Sequence, residues 1–365
     1  MKQHFFKNVR WASNEGVLTS TSWRPREILQ TLICYNAPMA DADRKHSKTG
    51  ILIAALILVI LGAALYFAFA DFDLGHKLEL MTYKRISTPE ELISIKDAPN
   101  GKYILAKDID LAGIDWAPFT FNGILEGNGH TVSNLKITQT GMSERRTYDG
   151  NMKEYDTVFA GMFDVIEDAE VRNLTLSGVN IDIASDAPCF IGSVAGYMGN
   201  SKILNCSVEG TLKLMAHDRM FGVGGVAGYG YGRIGDINAD ITLICIDTDR
   251  DTKDEQFMGG VCAAGYPDIV CCNIKIDGYD SDHGYVHNGG LVGLFQFYPE
   301  GTEHDAEIGG NHVSGKITFF EDNEDRRAYC DAYIGERMER IEYWWSNSDD
   351  FTSNEVFEYD VDLLP

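Results

Sequence analysis

An internal repeat restricts the fold of this chain more than any other feature of its sequence. A block of small residues recurs at intervals of 32, 32, 35 and 30 residues, and its copies begin at Ala160, Gly192, Gly224, Gly259 and Gly289. A second, more apolar block follows each copy of the first and begins at Val171, Leu204, Ile237, Val270 and Gly310. Two blocks that recur together indicate a series of similar structural units, each packed on its neighbours.

Inside the blocks, apolar and polar residues alternate, as in residues 211–214 (TLKL), which is the pattern of a β-strand. Short strands with glycine-rich corners, in units of about thirty residues, predict an all-β chain folded as a right-handed parallel β-helix, that is, a β-solenoid. A β-propeller is the alternative, since its repeats are only somewhat longer. Its hairpins need Asn-Gly or Asp-Gly turns, which are few here, so the sequence favours the solenoid.

A long apolar segment precedes the repeats. Residues 51–70 (ILIAALILVILGAALYFAFA) carry no charged side chain, and an apolar helix of about 20 residues spans the ~30 Å hydrocarbon core of a bilayer. Basic residues precede this segment, and Asp71 and Asp73 follow it. The distribution predicts one transmembrane helix with the N-terminus in the cytoplasm and the C-terminal part outside the cell. Cleavage by a signal peptidase before Asp71 is the alternative to an uncleaved anchor.

These features divide the chain into five parts. They are a cytoplasmic tail predicted to be disordered (1–50), the transmembrane helix (51–70), a linker (71–85), a β-helix with an N-terminal helical cap (86–320) and a C-terminal cap or tail (321–365). Met39 is an alternative start to Met1. The formal charge is −24, and acidic residues outnumber basic ones by 55 to 31. A surface this acidic excludes nucleic acid as a partner.

The start of the predicted β-helix contains a distinctive series of short motifs: residues 108–111 (DIDL), 116–118 (WAP), 121–123 (FNG) and 127–131 (GNGHT). Together with residues 289–293 (GGLVG), they resemble the first coil and the repeat of bacterial cell-surface β-helix proteins with GLUG repeats. The resemblance covers most of the part outside the membrane and implies display at the cell surface. In that family the repeats occur in adhesin-like proteins and beside the protease domain of some immunoglobulin A peptidases. No His-Glu-x-x-His motif occurs in this chain, so protease activity is not implied.

The two ends of a solenoid expose strand edges and need covers. Residues 88–91 (TPEE) form a capping box with Pro at the first helical position, and the helix predicted over 88–97 would cover the first coil. At the other end, residues 328–345 are expected to form an amphipathic cap that packs Trp344 and Trp345 onto the last coil. The alternative role for these two tryptophans is a platform on which sugars stack.

Variable segments occur at one phase of the repeat, namely 139–157, 184–189, 215–220, 247–256, 279–287 and 299–307. Insertions at one phase emerge along one edge of a solenoid, so we expect a strip of loops that is either a binding surface or a set of tolerated insertions. The candidate ligand-binding residues are Asp247, Asp249, Asp251, Tyr279, Asp282, His283, Trp344 and Trp345.

No metal or cofactor is predicted. Residues 247–251 (DTDRD) begin like a calcium-binding loop, but Thr252 and Met258 stand where the EF-hand pattern requires Gly and Glu. We therefore expect a solvated acidic loop, with weak calcium binding as the alternative. His283 and His287 have no nearby cysteine to complete a zinc site and are interpreted as exposed loop residues.

The cysteines and carboxylates form no recognisable catalytic set. The chain has eight cysteines but no C-x-x-C pair, and we expect most of them to stack in the core, with disulfides between neighbouring coils as the alternative. Catalytic motifs such as G-x-S-x-G are absent. The sequence therefore predicts a non-enzymatic, membrane-anchored surface module that binds an extracellular or envelope glycan or protein. The alternatives are a carbohydrate-active enzyme (a polysaccharide lyase or glycosidase) and a structural spacer of the envelope.

Overall fold

The computed structural model describes residues 57–58, 75, 77–149, 153–216, 220–248, 255–280, 285–295, 306–320, 328–331, 334–337 and 355–364. The chain divides into two compact units, Met1–Phe72 and Asp73–Pro365. Apart from Ile57 and Leu58, the predicted cytoplasmic tail and transmembrane helix lie outside the described residues. None of the helices in the described ranges is long and apolar enough to cross a membrane.

The second unit is built almost entirely of β-strands. The first nine are β1 (Lys84–Ile86), β2 (Lys102–Leu105), β3 (Ile109–Asp110), β4 (Phe119–Phe121), β5 (Ile124–Glu126), β6 (Thr131–Ser133), β7 (Lys136–Ile137), β8 (Glu144–Tyr148) and β9 (Glu154–Ala160). The next nine are β10 (Phe163–Glu167), β11 (Glu170–Arg172), β12 (Thr175–Ser185), β13 (Cys189–Gly192), β14 (Ala195–Leu204), β15 (Ser207–Ala216), β16 (Met220–Gly224), β17 (Ala227–Gly235) and β18 (Asn238–Asp247). The others are β19 (Glu255–Gly259), β20 (Cys262–Gly265), β21 (Asp268–Val270), β22 (Asn273–Asp280), β23 (Tyr285–Gly289), β24 (Val292–Phe295), β25 (Ile308–Gly309), β26 (His312–Phe320), β27 (Ala328–Asp331), β28 (Ile334–Arg337) and β29 (Glu355–Leu364).

These strands form three sheets that share one winding path. Sheet A has the order β1-β2-β5-β11-β14-β17-β20-β24-β28, with β4, β10, β21 and β25 attached to it. Sheet B has the order β3-β6-β12-β15-β18-β22-β26-β29, with β7 beside β12, and sheet C has the order β8-β9-β13-β16-β19-β23-β27. The hairpin of β8 and β9 is antiparallel, whereas the ladders that join successive coils are parallel. The predicted all-β parallel solenoid is confirmed.

Each coil crosses sheet C, then sheet A, then sheet B. The strands β13, β14 and β15 form one coil, and β16, β17 and β18 form the next. Their register places Ala195 opposite Ala227 in sheet A and Val208 opposite Ala239 in sheet B. Strands in such ladders lie about 4.8 Å apart, so the backbone groups of an inner coil find partners on both sides.

The glycine blocks form the corner between sheets C and A. As predicted, four of them are stacked in register: Gly192, Gly224, Gly259 and Gly289. A Cβ atom at Gly224 would collide with the carbonyl oxygen of Ala227, because the chain folds back on itself within three residues. The predicted start of the first block was one residue too early. Ala160 lies opposite Ile191, so Gly161 occupies the position equivalent to Gly192.

The second block lies at the corner between sheets A and B. Its predicted start at Val171 is correct, but the four later starts were wrong by one to three residues. The column that stacks is Val171, Ile203, Ile234, Ile269 and Ile308. Shortly after it, one residue of each coil adopts a left-handed conformation: Asn173, Asn205, Asp236, Cys271 and Gly310. A left-handed residue turns the chain and interrupts the alternation of side chains, so the sequence pattern alone misplaces the column.

The interior of the solenoid is filled by one apolar cluster that includes residues from Ile86 to Ile317. Its side chains form columns across the coils, such as Leu176, Val208, Ala239, Ile274 and Val313. A second, smaller cluster covers the outer faces of sheets C and A, where Phe190 and Tyr229 make an edge-to-face contact with ring centroids 5.2 Å apart. Burial in columns requires every coil to keep the same register.

The first coil is covered as predicted. Helix α1 (Pro89–Ile93) continues into a 3-10 helix (Ser94–Asp97). The Glu91 N–H donates to Thr88 Oγ1 (3.2 Å), and the Ser87 N–H, one residue before the N-cap, donates to Glu91 Oε2 (2.6 Å), so the two side chains form a variant of the capping box. Leu92 and Ile95 are fully buried in the interior cluster, so this segment closes the end of the core.

The C-terminal part differs from the expected amphipathic cap over 328–345. In the described residues of 321–365, β27, β28 and β29 pair in parallel with β23, β24 and β26, and so extend all three sheets. An exposed sheet edge offers a full set of backbone donors and acceptors, which a further coil can satisfy. Trp344 and Trp345 lie outside the described residues.

We predict that Gly224→Ala lowers the free energy of unfolding by about 1–3 kcal/mol, because the new methyl group has no space beside the Ala227 carbonyl. The measurement is urea unfolding of the purified full chain. Gly75→Ala is the matched control, since no atom lies within 4 Å of its Cβ position. Equal unfolding midpoints for the two variants would show that the corner has room for a side chain.

Candidate binding surface

The outer face of sheet B presents rows of side chains that are in register from coil to coil. One row comprises Asn180, Thr211, Thr242, Asp277 and Lys316. The next comprises Asp182, Lys213, Ile244, Tyr279 and Thr318. Since alternate residues of these strands fill the core, the outward residues are free to be polar, and most of them are.

The charges on this face are close to balance, in contrast to the acidic chain as a whole. Across β12, β15, β18, β22 and β26, the outward carboxylates and lysines are Asp182, Glu209, Asp240, Asp277, Lys213, Lys275 and Lys316. Lys275 Nζ lies 2.9 Å from Asp240 Oδ2, and Lys213 Nζ lies 3.5 Å from Asp182 Oδ1. Exposed pairs of this kind contribute less than about 1 kcal/mol to stability. Their main effect is to remove the excess negative charge from the face.

An apolar strip lies at the end of this face, next to the corner with sheet C. It consists of Met215, Ile244, Ile246 and Tyr279, all of intermediate exposure. Register places Met215 beside Ile246 and Ile244 beside Tyr279. The four side chains therefore form a continuous patch across three coils, bordered by the polar rows.

The strands of sheet B end, and those of sheet C begin, at the corner beside the apolar strip. There β12, β15, β18 and β22 lead along the sequence to β13, β16, β19 and β23, so the described ends of four of the predicted variable segments lie at one corner. The segment 139–157 reaches the same corner and contains the β8–β9 hairpin. The prediction that the segment 299–307 lies at this corner was wrong. It connects β24 with β25, and both strands belong to sheet A.

The structure describes two of the eight candidate binding residues. Tyr279 lies in the apolar strip. Asp247 differs from the solvated loop residue that was expected: it is the last residue of β18 and only 6% exposed. Strand β18 extends to Asp247, although the acidic sequence suggested a loop there. At this position of the strand the side chain of Asp247 lies on the face that packs into the core. The six candidates outside the described residues are Asp249, Asp251, Asp282, His283, Trp344 and Trp345.

His287 was interpreted as an exposed loop residue, and this was wrong. It lies in β23 and is 3% exposed. Its ring stacks on Phe257 of the neighbouring coil with centroids 4.9 Å apart. Strand β23 begins at Tyr285, closer to the glycine-containing loop than the composition indicated.

Sequence reasoning missed Met215, Ile244 and Ile246. Two runs in the sequence could have indicated them, residues 212–216 (LKLMA) and 243–247 (LICID), because the alternation of apolar and polar residues fails there. An apolar residue at an outward position of an otherwise alternating strand marks a patch that something else can cover.

No metal centre is formed by the usual ligands in the described ranges, since no group of three or more His, Cys, Asp or Glu side chains is arranged to hold an ion. A pocket of about 100 Å³ beneath the N-terminal cap is lined by residues that include Ile93, Trp116 and Phe119. Ligand pockets usually have volumes of about 300–1,000 Å³, so this hollow reflects packing of the cap rather than a binding site.

Six cysteines have described side chains, and all six are free thiols. Five of them are buried, as expected for core residues: Cys189, Cys206, Cys245, Cys262 and Cys272. Burial raises the pKa of the Cys272 thiol to about 12, and it raises the pKa of Cys189, Cys206 and Cys262 to the same value. Thiols with such pKa values do not supply a nucleophilic thiolate near neutral pH.

Comparisons with known proteins give likenesses of structure only. No protein-family model matches the chain, so the relation to GLUG repeats stays a prediction. No curated protein matches it either. Among solved structures, the chain is similar to one named IgA1 Protease, with 18% identity and a TM-score of 0.49 over 76% of this chain and 19% of that chain. It is also similar to a Bacteroides ovatus protein provisionally named as an immunoglobulin A1 protease, with 13% identity and a TM-score of 0.45 over 76% of this chain and 77% of that chain.

We predict that iodoacetamide at pH 8 labels Cys271 of the native chain at least 100-fold faster than Cys272. Cys271 is exposed, whereas Cys272 is buried and its pKa is raised to about 12, which leaves little thiolate. Mass spectrometry of the fragmented peptide that contains both residues measures the two rates. In urea the rates should become similar. Equal labelling of the native chain would contradict the burial of Cys272.

Proposed function

We propose that this chain is a non-catalytic binding module that holds a protein partner through the apolar strip at the edge of sheet B. The observation that carries the proposal is the alignment of Met215, Ile244, Ile246 and Tyr279 into one half-exposed patch, on a face where most of the other outward residues are polar. Contiguous apolar patches rimmed by polar residues mark interaction sites.

The chemistry of the strip favours a protein over a glycan. Methionine and tyrosine are enriched at protein interfaces, while lysine and carboxylates are depleted from their centres. Sugar binding usually relies on fully exposed aromatic rings, and here Tyr279 is half-buried beside Ile244. A partner with an apolar ridge and a mixed-charge rim therefore fits this surface.

The balanced charge beside the strip supports the same proposal. A partner that approaches an acidic protein is repelled unless it is itself basic. On sheet B, Lys213 and Lys275 neutralise the carboxylates of neighbouring coils, so this face admits partners of either charge.

For location, we propose a single-pass membrane protein with this unit outside the cell, as in bacterial surface proteins with GLUG repeats. The support is the uncharged run of residues 51–70, with basic residues before it and Asp71 and Asp73 after it. We also propose right-handed winding, since parallel crossovers have that hand in nearly all proteins.

We predict that Ile246→Lys and Tyr279→Ala each weaken binding of the full chain to its protein partner at least tenfold. A loss of that size corresponds to about 1.4 kcal/mol, which is typical for the centre of an interface. The measurement is binding of membrane-displayed chain to an array of extracellular-matrix proteins and glycans.

The matched control is Thr211→Lys, an outward change in the polar part of the same face, which should alter binding less than threefold. The proposal fails if both strip variants bind as the parent does. Binding of the chain to glycans but not to proteins would favour the sugar-binding alternative. Binding to none of the probes would favour a structural spacer.

A further inference from the structure

At the corner between sheets B and C, the mostly apolar interior of the solenoid contains four polar side chains from three successive coils. Four columns of inward side chains show it. On sheet B they are Ser185, Ala216 and Asp247, and then Ile183, Leu214, Cys245 and Asp280. On sheet C they are Cys189, Phe221 and Gln256, and then Ile191, Val223, Met258 and Asn288. Each column reaches a polar residue here, and in register Asp280 is followed by Phe319 and Asn288 by Cys330.

All four polar residues lie inside the protein. Gln256, Asp280 and Asn288 are fully buried, and Asp247 is 6% exposed. Their partners one coil earlier belong to the interior apolar cluster: Phe221, Cys245, Met258 and Ala216. Because register keeps one column on one face, the four polar side chains project into the interior as well.

Among the residues that the structure describes, the two amides have no hydrogen-bond partner. This holds for both Oε1 and Nε2 of Gln256 and for both Oδ1 and Nδ2 of Asn288. Buried amides are almost always hydrogen-bonded, and exceptions usually mark a water or an ion that satisfies them. Two such residues, on neighbouring strands and two positions apart in register, point to something bound between them.

The earlier coils show that these columns meet across the corner. Ser185, in the column of Asp247, is hydrogen-bonded to Cys189, in the column of Gln256. Farther from the corner, a Cβ atom at Gly278 would lie 2.9 Å from Met258 Sδ. Asp280 follows Gly278 by two residues on the same face, and Asn288 follows Met258 in the next coil. These contacts place the two carboxylates on one side of the corner and the two amides on the other.

The oxygen atoms gathered there suit one class of ligand. Two carboxylates and two amide carbonyls are hard donors with a total charge of −2, which matches a divalent cation. Calcium accepts six to eight oxygen ligands in irregular geometry, whereas magnesium requires a regular octahedron and retains its waters. A site whose ligands are side-chain oxygens in an apolar interior therefore favours calcium.

We propose that a calcium ion binds inside the solenoid between Asp247, Asp280, Gln256 and Asn288 and joins strands of three successive coils at the corner of sheets B and C. The site shares only Asp247 with the EF-hand-like run 247–251. It uses side chains from β18, β19, β22 and β23, so it forms only when these coils are stacked.

The test is thermal unfolding of the purified full chain in EDTA, in 1 mM calcium and in 1 mM magnesium. Calcium should raise the melting temperature by roughly 5 °C, as saturation of a site that exists only in the folded state requires, and magnesium should raise it much less. Isothermal titration with calcium should show one site per chain.

The variants are Gln256→Met with Asn288→Leu, and separately Asp280→Asn. The double variant removes the unsatisfied amides, so in EDTA it should melt no lower than the parent and in calcium it should show no shift. Asp280→Asn, which keeps the shape of the site, should weaken calcium binding at least tenfold. Asp240→Asn removes an exposed carboxylate and should leave the calcium shift unchanged.

Two results would overturn the proposal. A parent chain that does not respond to calcium, beside a double variant that melts higher in EDTA, would show that the amides hold only water. A calcium shift retained in both variants would place the ion elsewhere. Should the double variant fail to fold, titration of Asp280→Asn decides between the outcomes alone.

Discussion

The stacking of successive coils at the corner of sheets C and A is the constraint on which the rest of the structure depends. There the N–H groups of Val194 and Ala195 both donate to the carbonyl oxygen of Val226 in the next coil, at 3.0 and 3.3 Å. The N–H groups of Val226 and Ala227 repeat the arrangement with Val261, both at 2.9 Å. Each corner thereby fixes the register of the next, and a slip of one residue would turn every core side chain outward. The glycines before these bonds are needed because the fold-back leaves no space for a Cβ.

Register also determines what the molecule can present to others. One column receives one residue from each coil, so a surface row or a core column is assembled from positions about thirty to forty residues apart in sequence. Ile244 meets Tyr279, and Lys275 meets Asp240, only because the adjacent strands β18 and β22 are paired without a shift in register. The coils differ in length, because in sheet B Val208 pairs with Ala239, 31 residues away, whereas Ile274 pairs with Val313, 39 residues away. The additional residues lie in the connections between strands. The strands stay aligned while the connections lengthen, which separates the variable part of the chain from the part that holds it together.

Features that depend on a steric or local requirement could be predicted from the sequence. The glycine blocks are examples, because only glycine fits at Gly224, and so is the capping box at Thr88, whose partners are three residues apart. Features that depend on where a strand bends or ends could not be predicted from the sequence. The left-handed turn at Asn205 shifts the column to Ile203, and the extension of β18 buries Asp247, although its sequence resembles a loop. Gln256 and Asn288 could not be recognised at all, since their inward position becomes evident only once the register with Phe221 and Met258 is known.

The apolar strip and the polar interior corner are two sides of the same strand ends. Ile246 points outward and Asp247 inward from consecutive positions of β18, and Tyr279 and Asp280 have the same relation in β22. An ion that held Asp247 and Asp280 inside would restrict the backbone that carries Ile246 and Tyr279 outside. Since a rigid surface loses less conformational entropy when it binds, calcium would then strengthen partner binding, and the partner would strengthen calcium binding by the same factor. The alternation of side chains along a strand, which builds the core, is therefore also a physical route by which an interior site can control an exterior one.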